Sequence, residues 1–373
     1  MRIESTGSAA VLLAVFCGAG LAGGEVAETS AARDLEAPAP AEAMWLAGRE
    51  LRRVEAQANV HAGSTQELAA LDRDAAGGTV LVWQSKRQEP DGSYGIFARR
   101  FDAAGAPAGG EVHVNLHTAG VQYRPAVGLA PSGAAWFAWE SYGQDGDLGG
   151  VVLRRLDPAL DAGTNELLVD LSRDGLQAEP AVAVDAAGRA LVVWTGPGER
   201  AGARAVRARR FAADAAPLGE PFALSAAEGA RDGLPTVVAD PAGGFQVAWA
   251  RADLEGRPAG IVLRAVGADG AALGAERVVA EGACIEPALA VDGGGRALVA
   301  WMNGADGDWV PELRAVSADL LGPVRRLDPG RPGYASGLGV AWLDDGSALA
   351  AWSRFGDGQL AGRAVRDHEQ LVV

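Results

Sequence analysis

Short apolar runs separated by polar, glycine-bearing turns fill the chain, and one such unit recurs at a nearly fixed interval. The stretch "VDAAGRALVVW" at 184–194 reads as the end of one β-strand, a tight turn and a second strand, and "VDGGGRALVAW" repeats it at 291–301. Weaker copies are "RDAAGGTVLVW" from 73, "LAPSGAAWFAW" from 129, "ADPAGGFQVAW" from 239 and "WLDDGSALAAW" from 342. They close on Trp83, Trp139, Trp194, Trp249, Trp301 and Trp352, spaced by 56, 55, 55, 52 and 51 residues. Six residues before every one of these tryptophans stands a glycine, where a tight hairpin needs positive φ. Four copies also carry a proline fourteen residues before the tryptophan, Pro125, Pro180, Pro235 and Pro287.

Each unit resolves into four short strands. The first ends at the acidic turn ("PAVAVD"), and the second is the run into tryptophan ("ALVVW"). A third, after a longer loop, recurs as "FARRFD", "VLRRLD", "RARRFA", "VLRAVG", "ELRAVS" and "AGRAVR"; its constant residues are Arg99, Arg154, Arg209, Arg264, Arg314 and Arg363. The fourth reads "EVHVNL", "EPFALS" or "ERVVAE". Four hairpin-linked strands in about 50 residues are the pattern of a propeller blade. The expectation is an all-β, six-bladed β-propeller of four-stranded antiparallel blades over residues 44–373. Residues in every copy serve packing, so the repeated Trp and Arg are read as blade-to-blade contacts, with each guanidinium laid across the neighbouring indole. Residues 46–56, "LAGRELRRVEA", match fourth-strand text. They are expected to complete the last blade and close the ring, in competition with "LVV" at 371–373.

The amino terminus adds location. Residues 9–22, "AAVLLAVFCGAGLA", have the length of a signal-peptide core and are too short for a membrane span. Residues 1–22 are therefore expected to be a signal peptide, and the protein to be exported to the periplasm or beyond. A lipid anchor on Cys17 competes, although Phe16 is not the small residue such a signal wants. Residues 23–43, rich in Ala, Pro and acids, read as a disordered linker. Only Cys284 then remains in the mature chain, as a buried apolar side chain, and no disulfide forms.

Charge removes two classes of partner. With 33 basic against 48 acidic residues the net charge is −15, unsuited to nucleic-acid phosphates or an anionic membrane. A monomer binding a protein or glycan ligand is expected.

The run "DGSYGIFARRFDAAGAPAGGEVHVN" at 91–115 resembles the tandem repeats of bacterial exported surface proteins, in which "DGxGxGIxxRRFDxxGxxxGxE" text recurs. The resemblance extends over 60–373 and weakens after the third copy. It implies a β-propeller at the cell surface and carries no catalytic residues.

Chemistry is sought in the loops between second and third strands, the least repetitive part of the chain. They hold Glu89, Asp91, Asp145, Asp147, Glu199, Asp253, Glu255, Asp306, Asp308 and Asp357, with Tyr94, Tyr142, Trp309 and Phe355 among them. The acids read as turn residues or as a site for calcium or a cationic ligand, although no full calcium loop is present. Aromatics at loop tips suit stacking on sugars or peptide side chains. His61, His113, His117 and His368 fall at unrelated places in the repeat, and His113 and His117 lie too far apart along a strand to share zinc. Hydrolase and phosphate-binding motifs are absent, as is a sialidase Asp-box, since Asp185 stands nine residues before Trp194 rather than five. No cofactor is expected, calcium apart. The leading expectation is a non-catalytic binding or scaffold module, and the alternative a glycan-active hydrolase or lyase working through paired loop carboxylates.

Overall fold

The computed structural model describes residues 44–46, 49–51, 58–61, 64–146, 149–172, 175–226, 229–304, 308–318, 320–327, 335–343, 346–354 and 360–366. The expected leader, linker, Cys17 and "LVV" strand lie outside these residues. All regular structure among them is strand, and no helix is long and apolar enough to cross a membrane.

Each sequence repeat folds as an antiparallel sheet whose strands follow chain order. The first comprises Gln66–Arg73, Thr79–Lys86, Tyr94–Phe101 and Val112–His113, and the second Gln122–Leu129, Ala135–Ser141, Gly150–Leu156 and Leu167–Leu168. The third has Ala178–Val184, Ala190–Pro197, Arg204–Phe211 and Phe222–Ala223; the fourth has Arg231–Ala239, Phe245–Ala252, Pro258–Val266 and Ala272–Glu281. In the fifth are Cys284–Val291, Ala297–Asn303, Val310–Val316 and Arg325–Arg326, and in the last Ala335–Trp342, Ser347–Arg354 and Leu360–Arg366. One parallel pairing, Arg204 with Arg231, links the third sheet to the fourth. The glycine before each tryptophan takes φ between 77° and 104°, closing the hairpin as the repeat text requires.

Outer strands are shorter than "EVHVNL" suggests, two residues in four of the five sheets where one is described. Side chains replace the missing ladder. Asn115 Oδ1 accepts the Ile96 N–H at 2.6 Å, and Ser225 Oγ accepts that of Val206 at 3.0 Å. Pairing thus ends on a side chain instead of an open backbone edge.

The hydrophobic core lies between successive sheets. Trp139 packs with Val80, Val82 and Ile96 of the first repeat, Trp194 with Trp136 and Val151 of the second, and Trp249 with Leu191 and Val206 of the third. Trp301 and Trp352 do the same against the fourth and fifth. Each indole faces the preceding sheet, and Trp83 is 2% exposed against Ala58, Ala69 and Leu71.

The repeated arginines join sheets by hydrogen bonds to main-chain carbonyls, not by the stacking on tryptophan expected of them. Nη1 of Arg154, Arg209, Arg264 and Arg314 donates to Val114, Val169, Leu224 and Val279 O of the preceding repeat, at 2.6, 3.1, 2.6 and 2.7 Å. Arg99 reaches Ala58 O in the same way, at 3.1 Å. A second nitrogen holds the carbonyl ten residues on, Gly109, Thr164, Gly219 or Gly274. The register explains the difference. Arg207, not Arg209, lies opposite Trp194, so the constant arginine sits two residues further on and points across the gap between sheets. Arg363's side chain lies outside the described set.

Within residues 46–56, Arg49–Leu51 pairs with Met44–Leu46 as a hairpin of its own. This differs from the expected pairing with the last sheet, whose third strand, Leu360–Arg366, has no described outer neighbour. Only two residues separate Leu46 from Arg49 in the sequence, so local pairing closes a far shorter loop than pairing with the last sheet.

Candidate functional site

Every first strand begins with the same irregularity. Leu68, Arg124, Glu179, Leu234 and Glu286 take left-handed φ of 49°, 49°, 57°, 52° and 51°, and Gly337 takes 66° at the equivalent place. Pairing with the second strand slips there in all six repeats. Four of these residues precede a proline, which disfavours helical backbone, so the bulges are strained and must be held.

Neighbouring side chains hold them. The Arg124 N–H donates to Gln84 Oε1 at 3.0 Å, Glu179 N–H to Glu140 Oε1 at 2.8 Å, and Leu234 N–H to Glu179 Oε2 at 2.8 Å. Gly337 N–H donates to Glu286 Oε2 at 3.3 Å. Polar side chains are thereby gathered where the first strands of successive repeats pack together, at the end that carries the loops between second and third strands.

The densest part lies in the first three repeats. Arg124 Nη1 stands 3.3 Å from Glu179 Oε1 and 3.9 Å from Glu140 Oε1. The Oε1 atoms of the two carboxyl groups are therefore no more than about 7 Å apart, a bound that excludes the wide end of the separations seen in inverting glycosidases. Burial pushes the Glu140 carboxyl above its ordinary range. Burial acts on Glu179 in the same sense, but hydrogen bonds from Thr195 Oγ1 and the Leu234 N–H, with the charges of Arg204 and Arg124, outweigh it and lower that group. Two acids on one guanidinium are thus biased toward opposite protonation states, the arrangement that separates a proton donor from a base. The Tyr142 hydroxyl donates to Glu140 Oε2 at 3.4 Å and its ring is 38% exposed. Arg124's side chain is 42% exposed, so the pair opens to solvent beside these two groups.

Next to it is an aromatic edge. Tyr94 and Tyr123 meet edge to face at 6.4 Å, Lys86 Nζ lies 5.4 Å from the Tyr94 ring and Arg124 5.7 Å from that of Tyr123. Burial, then a hydrogen bond to Glu67, pushes the Tyr94 hydroxyl up to about 12.

The loop acids are distributed differently from the expected acidic rim. Asp91 accepts the N–H groups of Ser93 and Gly120, and Asp253 and Glu255 are paired to Arg257. Glu89 is 4% exposed and bonds to His113 Nε2 and Asn115 Nδ2, beneath Gly95, where a Cβ would collide with its carboxylate. Asp145 is buried, Asp308 half-buried and Glu199 exposed. Trp309 packs over Gly304 into the core between the fifth and last repeats, away from a loop tip. Asp147, Asp306, Phe355 and Asp357 lie outside the described residues. Of the expected site residues the structure brings Tyr94 and Tyr142 to the strand-one cluster.

Glu67, Arg124, Glu140 and Glu179 escape the sequence reading. The signal for Arg124 and Glu179 is the residue before a first-strand proline, and that for Glu140 the residue after the tryptophan, two places where the repeat changes type; Glu67 has no such mark. Histidine placement is also corrected. His61 and His117 are equivalent, in "NVH" and "NLH", and Asn59 and Asn115 each donate Nδ2 to the histidine carbonyl two residues on. Cys284 is buried, with its thiol pushed up to about 11 by burial, which suits packing and not attack. Among the described residues no three of His, Cys, Asp and Glu form a metal-binding group.

No family model and no curated sequence matches the chain. Solved structures do. A protein of unknown function from Dyadobacter fermentans superposes with TM-score 0.59 at 10% identity, over 80% of this chain and 93% of that one. The α-L-arabinanase of Penicillium chrysogenum, solved with arabinobiose, gives 0.54 at 16%, over 82% and 94%. An intramolecular trans-sialidase from Ruminococcus gnavus gives 0.53 at 8%, over 84% and 98%. At such identities these similarities establish the β-propeller fold and nothing finer.

Proposed function

We propose that the chain is an exported six-bladed propeller that acts on glycans, with Glu140 as proton donor and Glu179 as base or nucleophile. The observation that carries this is the pair itself: two carboxyl groups on one guanidinium, biased in opposite directions, beside an exposed tyrosine. Arabinanase and trans-sialidase among the structural neighbours favour this alternative over the non-catalytic module expected from sequence. Six blades are supported by six repeats and by the burial of Trp83, whose sheet face needs a preceding neighbour as every other does. Residues 1–22 as leader and 23–43 as linker complete the proposed organisation.

In this reading Glu140 protonates the leaving oxygen, Glu179 works from the opposite side, and Arg124 holds the two at fixed separation while Tyr142 borders the sugar. A specific observation favours a second, structural reading. Glu286 holds the Gly337 amide as Glu179 holds that of Leu234, without a second acid, so clamping bulges is also what these carboxylates do.

The test is reducing-sugar release from a panel of arabinans, xylans, uronans and sialosides by the full mature chain. The reading expects cleavage of one class, with kcat falling at least 100-fold in both Glu140→Gln and Glu179→Gln while thermal unfolding stays cooperative. Absence of cleavage across the panel, or full activity in either variant, leaves the clamping role alone.

A further inference from the structure

The chain carries a net charge of −15, yet the described side chains beside the carboxylate pair present cations. Lys86, the single lysine of the sequence, stands over the Tyr94 ring, and Arg124 stands over Tyr123. The tyrosines touch edge to face, so the two rings, each with one cation over it, make one aromatic ledge. Arg124 is already paired to Glu179 and Glu140, which leaves Lys86 as the cation of the ledge without a carboxylate partner among the described residues. Asp91 is turned into its own loop, Glu89 is buried on His113 and Asn115, and Glu67 accepts from Gln84 Nε2 and the Tyr94 hydroxyl. Lys86 has no ion pair among the described residues. Such an ammonium, half-buried and backed by a ring, is poorly compensated and attracts an anion.

From this we infer that the Lys86–Tyr94–Tyr123–Arg124 ledge is a subsite for a sugar that bears a carboxylate. The rings stand at 81°, so a pyranose meets the face of one and the edge of the other, and Lys86 supplies the counter-charge. The inference rests on the glycan-active reading for the placement of the scissile bond, but binding at the ledge does not require cleavage. Selectivity comes from charge. A neutral sugar stacks on the rings and leaves Lys86 unpaired, whereas a carboxylated one pairs it.

The experiment is isothermal titration of the full mature chain with tetragalacturonate, 3′-sialyllactose and neutral arabinotetraose. The expected result is tighter binding of one or both acidic sugars than of the neutral one, weakened about tenfold by Lys86→Gln and by 0.5 M salt, and restored by Lys86→Arg. Which acidic probe binds tells a uronate site from a sialate site. Glu179→Gln is expected to keep acidic-sugar binding even where it abolishes turnover. Equal affinity for arabinotetraose, binding of no probe, or unchanged acidic-sugar affinity in Lys86→Gln would overturn the subsite. Acidic-sugar binding without any cleavage would instead overturn the enzymatic reading and leave the ledge standing.

Discussion

Replacing Arg209 with alanine removes one of the clips that fasten each sheet to the one before it. Arg209 is 6% exposed; its Nε donates to Gly219 O at 3.2 Å and its Nη1 to Val169 O at 3.1 Å. A hydrogen bond involving a charged group contributes about 1.5–3 kcal/mol; the Val169 carbonyl would be left in a dry gap, whereas exposed Gly219 turns to water. The loss is therefore about 3–6 kcal/mol, to which the guanidinium's contact over the Phe211 ring adds a little. At about 2.1 cal/mol/K of unfolding entropy per residue, that corresponds to roughly 4–8 °C in Tm for a chain of 373 residues. Arg209→Lys keeps the charge but one ammonium does not span both carbonyls, so about half the loss is expected. Scanning calorimetry reads the stability, and amide exchange reads the place. Protection should fall first at Val169, whose N–H pairs with Val151 O, and at its neighbours in the second repeat. A Tm within 1–2 °C of the parent, or loss of protection confined to the third repeat, would refute the reasoning that these arginines join sheets.

Other perturbations follow from the same geometry. Trp194→Ala, at a fully buried site whose Nε1–H donates to Asp170, should lower stability by about 3–5 kcal/mol in denaturant titrations. Gly95→Ala puts a methyl 1.9 Å from Glu89 Oε1, so it should cost about 1–3 kcal/mol and move the His113 ring NMR signals as the carboxylate hydrogen-bonded to it is displaced. Burial pushes the Asp72 carboxyl up to about 6, although the Leu129 and Arg73 N–H groups oppose the rise. Because the folded pKa is the higher one, this group's contribution is full below pH 4 and is lost as pH rises through 6; in Asp72→Asn that slope of Tm between pH 4 and 7 should disappear. Opposite biases on Glu140 and Glu179 predict a bell-shaped pH profile of kcat/KM, with apparent values that belong to the pair, and Glu140→Gln should remove its alkaline limb.

The architecture was legible because packing repeats and function does not. Each tryptophan meets the same kind of surface on the preceding sheet, so the same residue is required every 50-odd residues, and the glycine six before it must adopt positive φ each time. The arginines were legible as packing residues but not in their partners, since main-chain carbonyls leave no trace in side-chain text. Outer strands were overread because Asn115 and Ser225 substitute for ladder bonds, and an apolar run does not reveal that. The site was missed for a related reason. Loop acids attract attention, yet an Asp that opens a glycine-bearing turn caps that turn, as Asp91 and Asp253 do. The groups that converge come instead from inside the strands, at a bulge. A residue before proline reads as extended backbone, and nothing in Arg124-Pro125 or Glu179-Pro180 announces φ near +50°.

The most direct test of the account is a crystal structure of the Glu179→Gln chain grown with the glycan that the panel selects. The account predicts a sugar ring between Tyr142 and Arg124, its glycosidic oxygen within hydrogen-bond reach of Glu140. Sugar bound on the opposite face of the sheets, or along an outer strand with the Glu140 pocket filled only by water, would contradict it.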